Sequence, residues 1–213
     1  MKHNLLKQLT LALLILVAVP YAKSQVAHVG DILCTSGVYV SPAEYEASGL
    51  EAMGVIFYVD ATGQHGWAVA LEDAGSFKWS SGYWDTPLPN FTSTRAAIYD
   101  LNGLFNTQEV LDYGTNNNKS FPAFEALDVE SGWYLPAIGQ LNYLYGNLIE
   151  VNTSLAICEG MVFEMSSSWM YWSSTEYSSD SSWKLASSGD LHYVSGMNND
   201  KVILRCVRGV RNF

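Results

Sequence analysis

The chain has 213 residues, with 21 acids against 11 Lys and Arg, which gives a formal net charge of −10 at neutral pH. Such a field repels phosphate backbones and sulfated polymers, which excludes nucleic acid and anionic membrane surfaces as partners. A 48% hydrophobic composition with seven Trp and thirteen Tyr excludes disorder and is enough for one domain with a sizeable core.

Lys2, His3 and Lys7 precede an apolar run from Leu9 to Val19, and small residues follow up to Ala22-Lys23-Ser24. This is the pattern of a secretory signal peptide cleaved after Ser24 or Ala22. The run falls short of the ~20 residues a spanning helix needs, so no membrane insertion is expected. Residues 1–24 are thus read as a leader and 25–213 as a single domain, secreted, periplasmic or held at the cell surface. Loss of Lys2, Lys7 and Lys23, with no acid among those residues, takes the formal charge from −10 to −13.

Val55-Ile56-Phe57-Tyr58-Val59 is a β-branched and aromatic run bounded by turn residues, and Trp67-Ala68-Val69-Ala70-Leu71 follows as its hairpin partner. His65 lies in the intervening turn between Gly63 and Gly66, where a turn role outweighs that of a base or ligand because no second His or Cys stands at ligand spacing. A long ordered loop from Gly75 to Thr94 carries Trp79, Tyr83 and Trp84. Beyond Thr94, the spacing of Ala97, Ile98, Leu101, Leu104 and Phe105 predicts a helix that Gly103 weakens. Asn116-Asn117-Asn118 marks a loop. Pro136 opens a second helix, whose apolar stripe is Ile138, Leu141, Leu144, Tyr145, Leu148 and Ile149.

Further on, Trp183-Lys184-Leu185-Ala186 and Leu191-His192-Tyr193-Val194 flank a Ser-Ser-Gly-Asp turn, a hairpin pattern. Val202 to Val207 reads as the last strand, with Val202, Leu204 and Cys206 on one face. Strands and two helices are segregated, so the expected class is α+β with a mainly antiparallel twisted sheet and long ordered loops. Cys34, Cys158 and Cys206 all follow the leader, and an exported protein usually pairs its thiols. Cys158 with Cys206 and Cys34 with Cys206 are the candidate pairs, and buried free thiols are the alternative.

Trp133-Tyr134-Leu135-Pro136 with Gln140-Leu141, Tyr171-Trp172-Ser173-Ser174-Thr175-Glu176-Tyr177, Trp183, Gly189, Lys201 and Arg205-Cys206-Val207-Arg208 carry a resemblance. From Gly132 to Arg211 the chain resembles a bacterial exported domain of unknown function, named from the C-terminal end of a collagen-like adhesin and close to the Fibrobacter succinogenes major paralogous domain. The resemblance implies a C-type-lectin-like fold, shared with formylglycine-generating enzymes and with variable proteins of diversity-generating retroelements. In those variable proteins the surface after the Trp-Ser-Ser-Thr-Glu motif carries the ligand contacts, which here points to 177–183 and 192–199. This stretch departs from diversified members in lacking their dense run of Asn and Tyr.

Residues 166–183 contain nine Ser, three Trp and two Tyr, a composition close to that of antibody contact loops. The competing role for Trp169 and Trp172 is as core anchors. Tyr177, Asp180, Trp183, His192, Tyr193 and Asn198 are the expected ligand-binding residues, and a glycan or protein is the expected partner. Asp60, Glu72, Asp73, Glu176, Asp180 and Asp200 offer oxygens to calcium, yet no spacing matches a calcium loop, so no cofactor is expected. No Gly-x-Ser-x-Gly elbow singles out a nucleophile. The reading is therefore a non-enzymatic recognition domain. Its alternative is a structural subunit of a cell-surface or fimbria-like assembly, and a third reading, an enzyme on the formylglycine-generating scaffold, needs a reactive Cys pair.

Overall fold

The computed structural model describes residues 26–164, 170–186 and 199–213. The leader, Trp169, His192, Tyr193, Asn198 and the second half of the hairpin expected after Trp183 lie outside the described residues. In chain order the elements are β1 (Ile32–Cys34), β2 (Tyr39–Val40), α1 (Pro42–Ser48), β3 (Ala52–Val59), β4 (Gly66–Ala70) and β5 (Gly75–Lys78). Then come α2 (Thr94–Ala97), α3 (Gly103–Asn117), α4 (Pro122–Glu125), α5 (Ile138–Gly146) and α6 (Leu148–Ile157). The chain closes with β6 (Met170–Glu176), β7 (Ser181–Ala186), β8 (Asn199–Asp200), β9 (Leu204–Val207) and β10 (Val210–Asn212).

The α+β class holds, but the strands form two five-stranded sheets rather than one: β10-β4-β3-β1-β2 and β5-β9-β6-β7-β8. Pairing is antiparallel except between β6 and β9, which meet in parallel at Tyr171 and Cys206. The expected hairpin forms as β3 and β4, with a bulge between Ile56 and Tyr58. Val55, Phe57 and Val69 from this hairpin face Ile138, Leu141, Leu144, Val151 and Leu155 of α5 and α6, and together they make the main core. A second cluster collects Trp79, Phe121, Phe124, Leu135, Trp172 and Val207.

Several local expectations change. The apolar stripe after Pro136 breaks into two helices at Asn147, whose side-chain amide donates both to Phe57 O at 3.0 Å and to Tyr143 O of α5 at 3.2 Å. Leu148 is buried while Ile149, 75% exposed, points outward. Gly103 does not weaken a helix begun at Thr94, because α2 stops at Ala97 and Gly103 is the first residue of α3. A Cβ there would lie 2.8 Å from Ala137 N and 2.9 Å from Leu135 O, so glycine is what lets α3 start against the segment entering α5. Asn116 and Asn117 still belong to α3, and Asn118 ends it in the left-handed region at φ 51°.

The strand expected at Val202 to Val207 is shorter and is not the last, since Lys201 to Ile203 form a turn, β9 starts at Leu204 and β10 follows it. Leu204 is 58% exposed and Cys206 is half-buried, whereas Val207 is sealed in the second cluster. Alternation does not divide β9 into one covered and one open face, since Leu204 is exposed, Cys206 packs against the main core and Val207 lies in the second cluster with Trp79 and Trp172. All three thiols are free, so neither candidate disulfide is present.

Candidate functional site

The Trp-Ser-Ser-Thr-Glu motif builds the frame of the expected binding surface. Trp172 is fully buried and its indole N–H donates to Phe77 O at 2.9 Å, which fits the anchor role. The hydroxyls that follow are equally buried and form a polar spine rather than a contact surface. Ser173 Oγ donates to Trp183 O at 2.8 Å and Ser182 Oγ to Thr175 O at 2.7 Å. Thr175 Oγ1 donates to Asp100 at 2.7 Å and accepts the Ile138 N–H at 2.9 Å, tying β6 to α5 and to the segment before α3. Each such group would cost free energy if left unpaired, which explains the density of reciprocal bonds.

Glu176 ends the spine beside Lys201, and both side chains have no exposed surface. Lys201 Nζ donates to Glu176 Oε1, to Trp84 O at 2.8 Å and to Ser179 O at 3.2 Å, and lies 4.4 Å from the Trp79 ring centroid. Thr86 donates to the Glu176 carboxylate through its N–H at 3.3 Å and through its hydroxyl. Burial raises the Glu176 carboxyl pKa and lowers that of Lys201, and the pair's mutual attraction opposes both shifts. This buried pair pins the loop after Trp79, the β6–β7 turn and the β8–β9 turn together.

On that frame the expected ligand residues separate. Trp183 is 2% exposed in the main core, and its N–H donates to Phe91 O at 2.7 Å, so its ring is not offered to a visitor. Tyr177 is half-buried with its ring 5.7 Å from that of Trp183. Asp180 is exposed at the turn, and Ser178 and Ser181 donate to its carboxylate at 2.5 Å and 3.0 Å, which holds its pKa below the usual value. Nearby, Tyr83 donates to Asp200 at 2.8 Å. Among the described residues no group of three or more His, Cys, Asp or Glu is placed to hold a metal ion.

A second surface, which sequence reading missed, lies at the turn end of the β3–β4 hairpin. The bulge at Ile56/Tyr58 puts Tyr58 opposite Trp67, and the two rings stack at 4.3 Å and 26°. Tyr143 of α5 completes the group, 4.8 Å from Tyr58 and 5.8 Å from Trp67. Bulges re-aim side chains in this way, and an alternating pattern gives no sign of one. Two open clefts flank this aromatic ridge and share Trp67 and Asn212. One, of about 350 Å³, is walled by Tyr58, Asp60, His65 and Phe213. The other, of about 310 Å³, is walled by Leu101, Asn102, Phe105, Gln108 and Tyr134. His65 is exposed in its turn, and Gly66 beside it is required because a Cβ would lie 2.0 Å from Tyr58 O. Tyr134 is buried, which pushes its pKa up to about 12; its hydroxyl accepts from Gln140 at 3.0 Å and donates to Asn212 Oδ1 at 2.7 Å.

Two mostly antiparallel sheets with helices packed between and beside them define an α+β protein whose surfaces are shallow clefts and loop tips. The fold is similar to that in the crystal structure of a fimbrial protein from Bacteroides ovatus, with a TM-score of 0.65 and 19% identity over 87% of this chain and 49% of that one. The chain thus spans about half the length of that protein. No protein-family model and no curated protein matches the sequence. The architecture is thus α+β with a likeness to that fimbrial protein, which is coarser than the C-type-lectin-like fold the resemblance implied. Among the described residues no helix is long and apolar enough to cross a membrane.

Proposed function

We propose that this chain is an exported, non-enzymatic structural subunit of a cell-surface, fimbria-like assembly. The observation that carries the reading is the shared fold with a fimbrial protein over 87% of the chain. Two features agree with it. The N-terminal residues have the pattern of a secretory leader. Large apolar side chains also stand in solvent at Tyr99 (76% exposed), Ile149 (75%) and Leu204 (58%), which is surface that contact with neighbouring subunits would cover.

The test is made on cells that produce the full chain from its own gene. Surface material is sheared off, sedimented and immunoblotted against the chain. The expected result is recovery in sedimentable material of high mass. Recovery only as a monomer in the supernatant overturns the reading.

A further inference from the structure

The half-buried rings of Tyr58 and Trp67 rest on the main core and, with the two clefts beside them, form a surface distinct from the loop tip at Asp180. We propose that it is a binding site for a neutral oligosaccharide, whose successive rings lie across the Trp67 indole from one cleft into the other.

The chemistry of the lining selects this ligand class. A sugar ring presents an apolar C–H face and a rim of hydroxyls that donate and accept in the same plane. Trp67, Tyr58 and Tyr143 supply aromatic surface for the first. Side-chain amides of Asn102 and Gln108, each donor and acceptor at once, supply the second, and Asn212 adds a donor. All three residues are exposed, and the side chains of Asn102 and Gln108 make no hydrogen bond within the described residues.

Asn212 is the built part of the site. Its Oδ1 is taken by the buried Tyr134 hydroxyl at 2.7 Å, and Tyr134 is itself fixed by the buried Gln140 at 3.0 Å. This relay sets the plane of the amide and leaves Nδ2 as the group offered to a ligand. Each cleft, at about 310 and 350 Å³, lies at the small end of ligand-pocket volumes, and the two stand side by side with Trp67 and Asn212 as their common wall.

Charge completes the selection. No Lys or Arg lines either cleft, Asp60 is the one acid, and the chain carries a net charge of −10. Sulfated, phosphorylated or uronic chains find repulsion and no cation there. A second protein copy seated on the same ridge would desolvate three amides, which is unfavourable unless its own polar groups match them.

Isothermal titration of the purified exported protein decides the matter. The probes are maltohexaose, cellohexaose, mannohexaose and the N-acetylglucosamine hexamer, with a heparin hexasaccharide as the anionic control. At least one neutral probe is expected to bind with a Kd of about 0.1–1 mM, as suits a shallow single site, and the heparin probe is not. Gln108→Ala, on the surface and outside the core, weakens binding at least about threefold, and Trp67→Phe, which keeps an aromatic ring in the hairpin, about fivefold or more. Four results overturn the proposal: no neutral probe binding at about 5 mM; equal binding of the heparin probe; binding unchanged in both variants; or a sugar-free dimer that Trp67→Phe dissolves. The last identifies a second copy as the occupant. Binding by a chain found only as a monomer leaves this inference standing and removes the assembly reading, and the reverse pattern does the opposite.

Discussion

Replacing Lys201 by Met probes the joint on which the loop surface depends. The substitution keeps an unbranched apolar stem beside Trp79 and removes the ammonium that faces Glu176, Trp84 O and Ser179 O. Glu176 then keeps only the Thr86 donors in a site with no exposed surface. Breaking a buried pair on one side costs about 3–5 kcal/mol because the remaining charge is stranded. For a chain of this size that corresponds to a fall in Tm of roughly 6–20 °C. The assay is urea unfolding followed by tryptophan fluorescence, with Glu176→Gln and the double variant completing a cycle.

The double variant carries no stranded charge and keeps the Thr86 bonds, so it recovers more than half of the loss. The sign of the pH dependence is fixed as well. Burial already raises the Glu176 pKa, and loss of Lys201 raises it further. A carboxyl whose folded pKa exceeds its unfolded value of 4.5 contributes stability that is fully present below that value and lost as pH rises through the folded pKa. The Lys201→Met deficit should therefore be smaller near pH 4.5 than near pH 8. A single variant within about 1 kcal/mol of the parent, or strictly additive singles, refutes the reasoning.

Three further outcomes follow from the same structure. Trp183→Ala should cost about 3–5 kcal/mol in chemical unfolding, since it opens a hole in the main core and strands Phe91 O; a folded variant of parental stability would place the ring outside the core. Thiol labelling of the native protein at neutral pH should spare Cys34, which is buried and whose pKa burial raises, and be slow at Cys158, whose pKa is pushed up to about 11. Rapid reaction of both would contradict their placement. Lys184 is buried with its pKa lowered to about 8 by desolvation and then by Arg205. The unfolded chain holds that proton up to about 10.5, so stability rises with pH from 8 toward 9.5, and Lys184→Gln should flatten that limb of the pH–stability curve.

The local grammar of the chain was readable from residue types alone. The run at 55–59 and its partner at 67–71 form a hairpin because β-branched and aromatic side chains in short blocks, bounded by Asp and Gly, leave the backbone few other ways to bury them. Trp172 was legible as an anchor for a related reason: in this strand a large ring with one N–H is satisfied inside, and Phe77 O provides the acceptor.

What the residues did not announce was which side of each element would be covered. Ser173, Ser174 and Thr175 of the serine-rich stretch form an internal polar spine because Ser174 meets Asn106 across 68 positions of chain and Thr175 meets Asp100 across 75, a closure that composition does not encode. Trp183 went inward because Phe91, 92 positions away, supplied its acceptor. The break at Asn147 likewise depends on where β3 places the Phe57 carbonyl. The aromatic ridge depends on one extra residue in β3, which turns Tyr58 onto the face of Trp67. Periodicity fixes what an element wants to hide, whereas register and long-range hydrogen bonds decide what is left for a partner to touch.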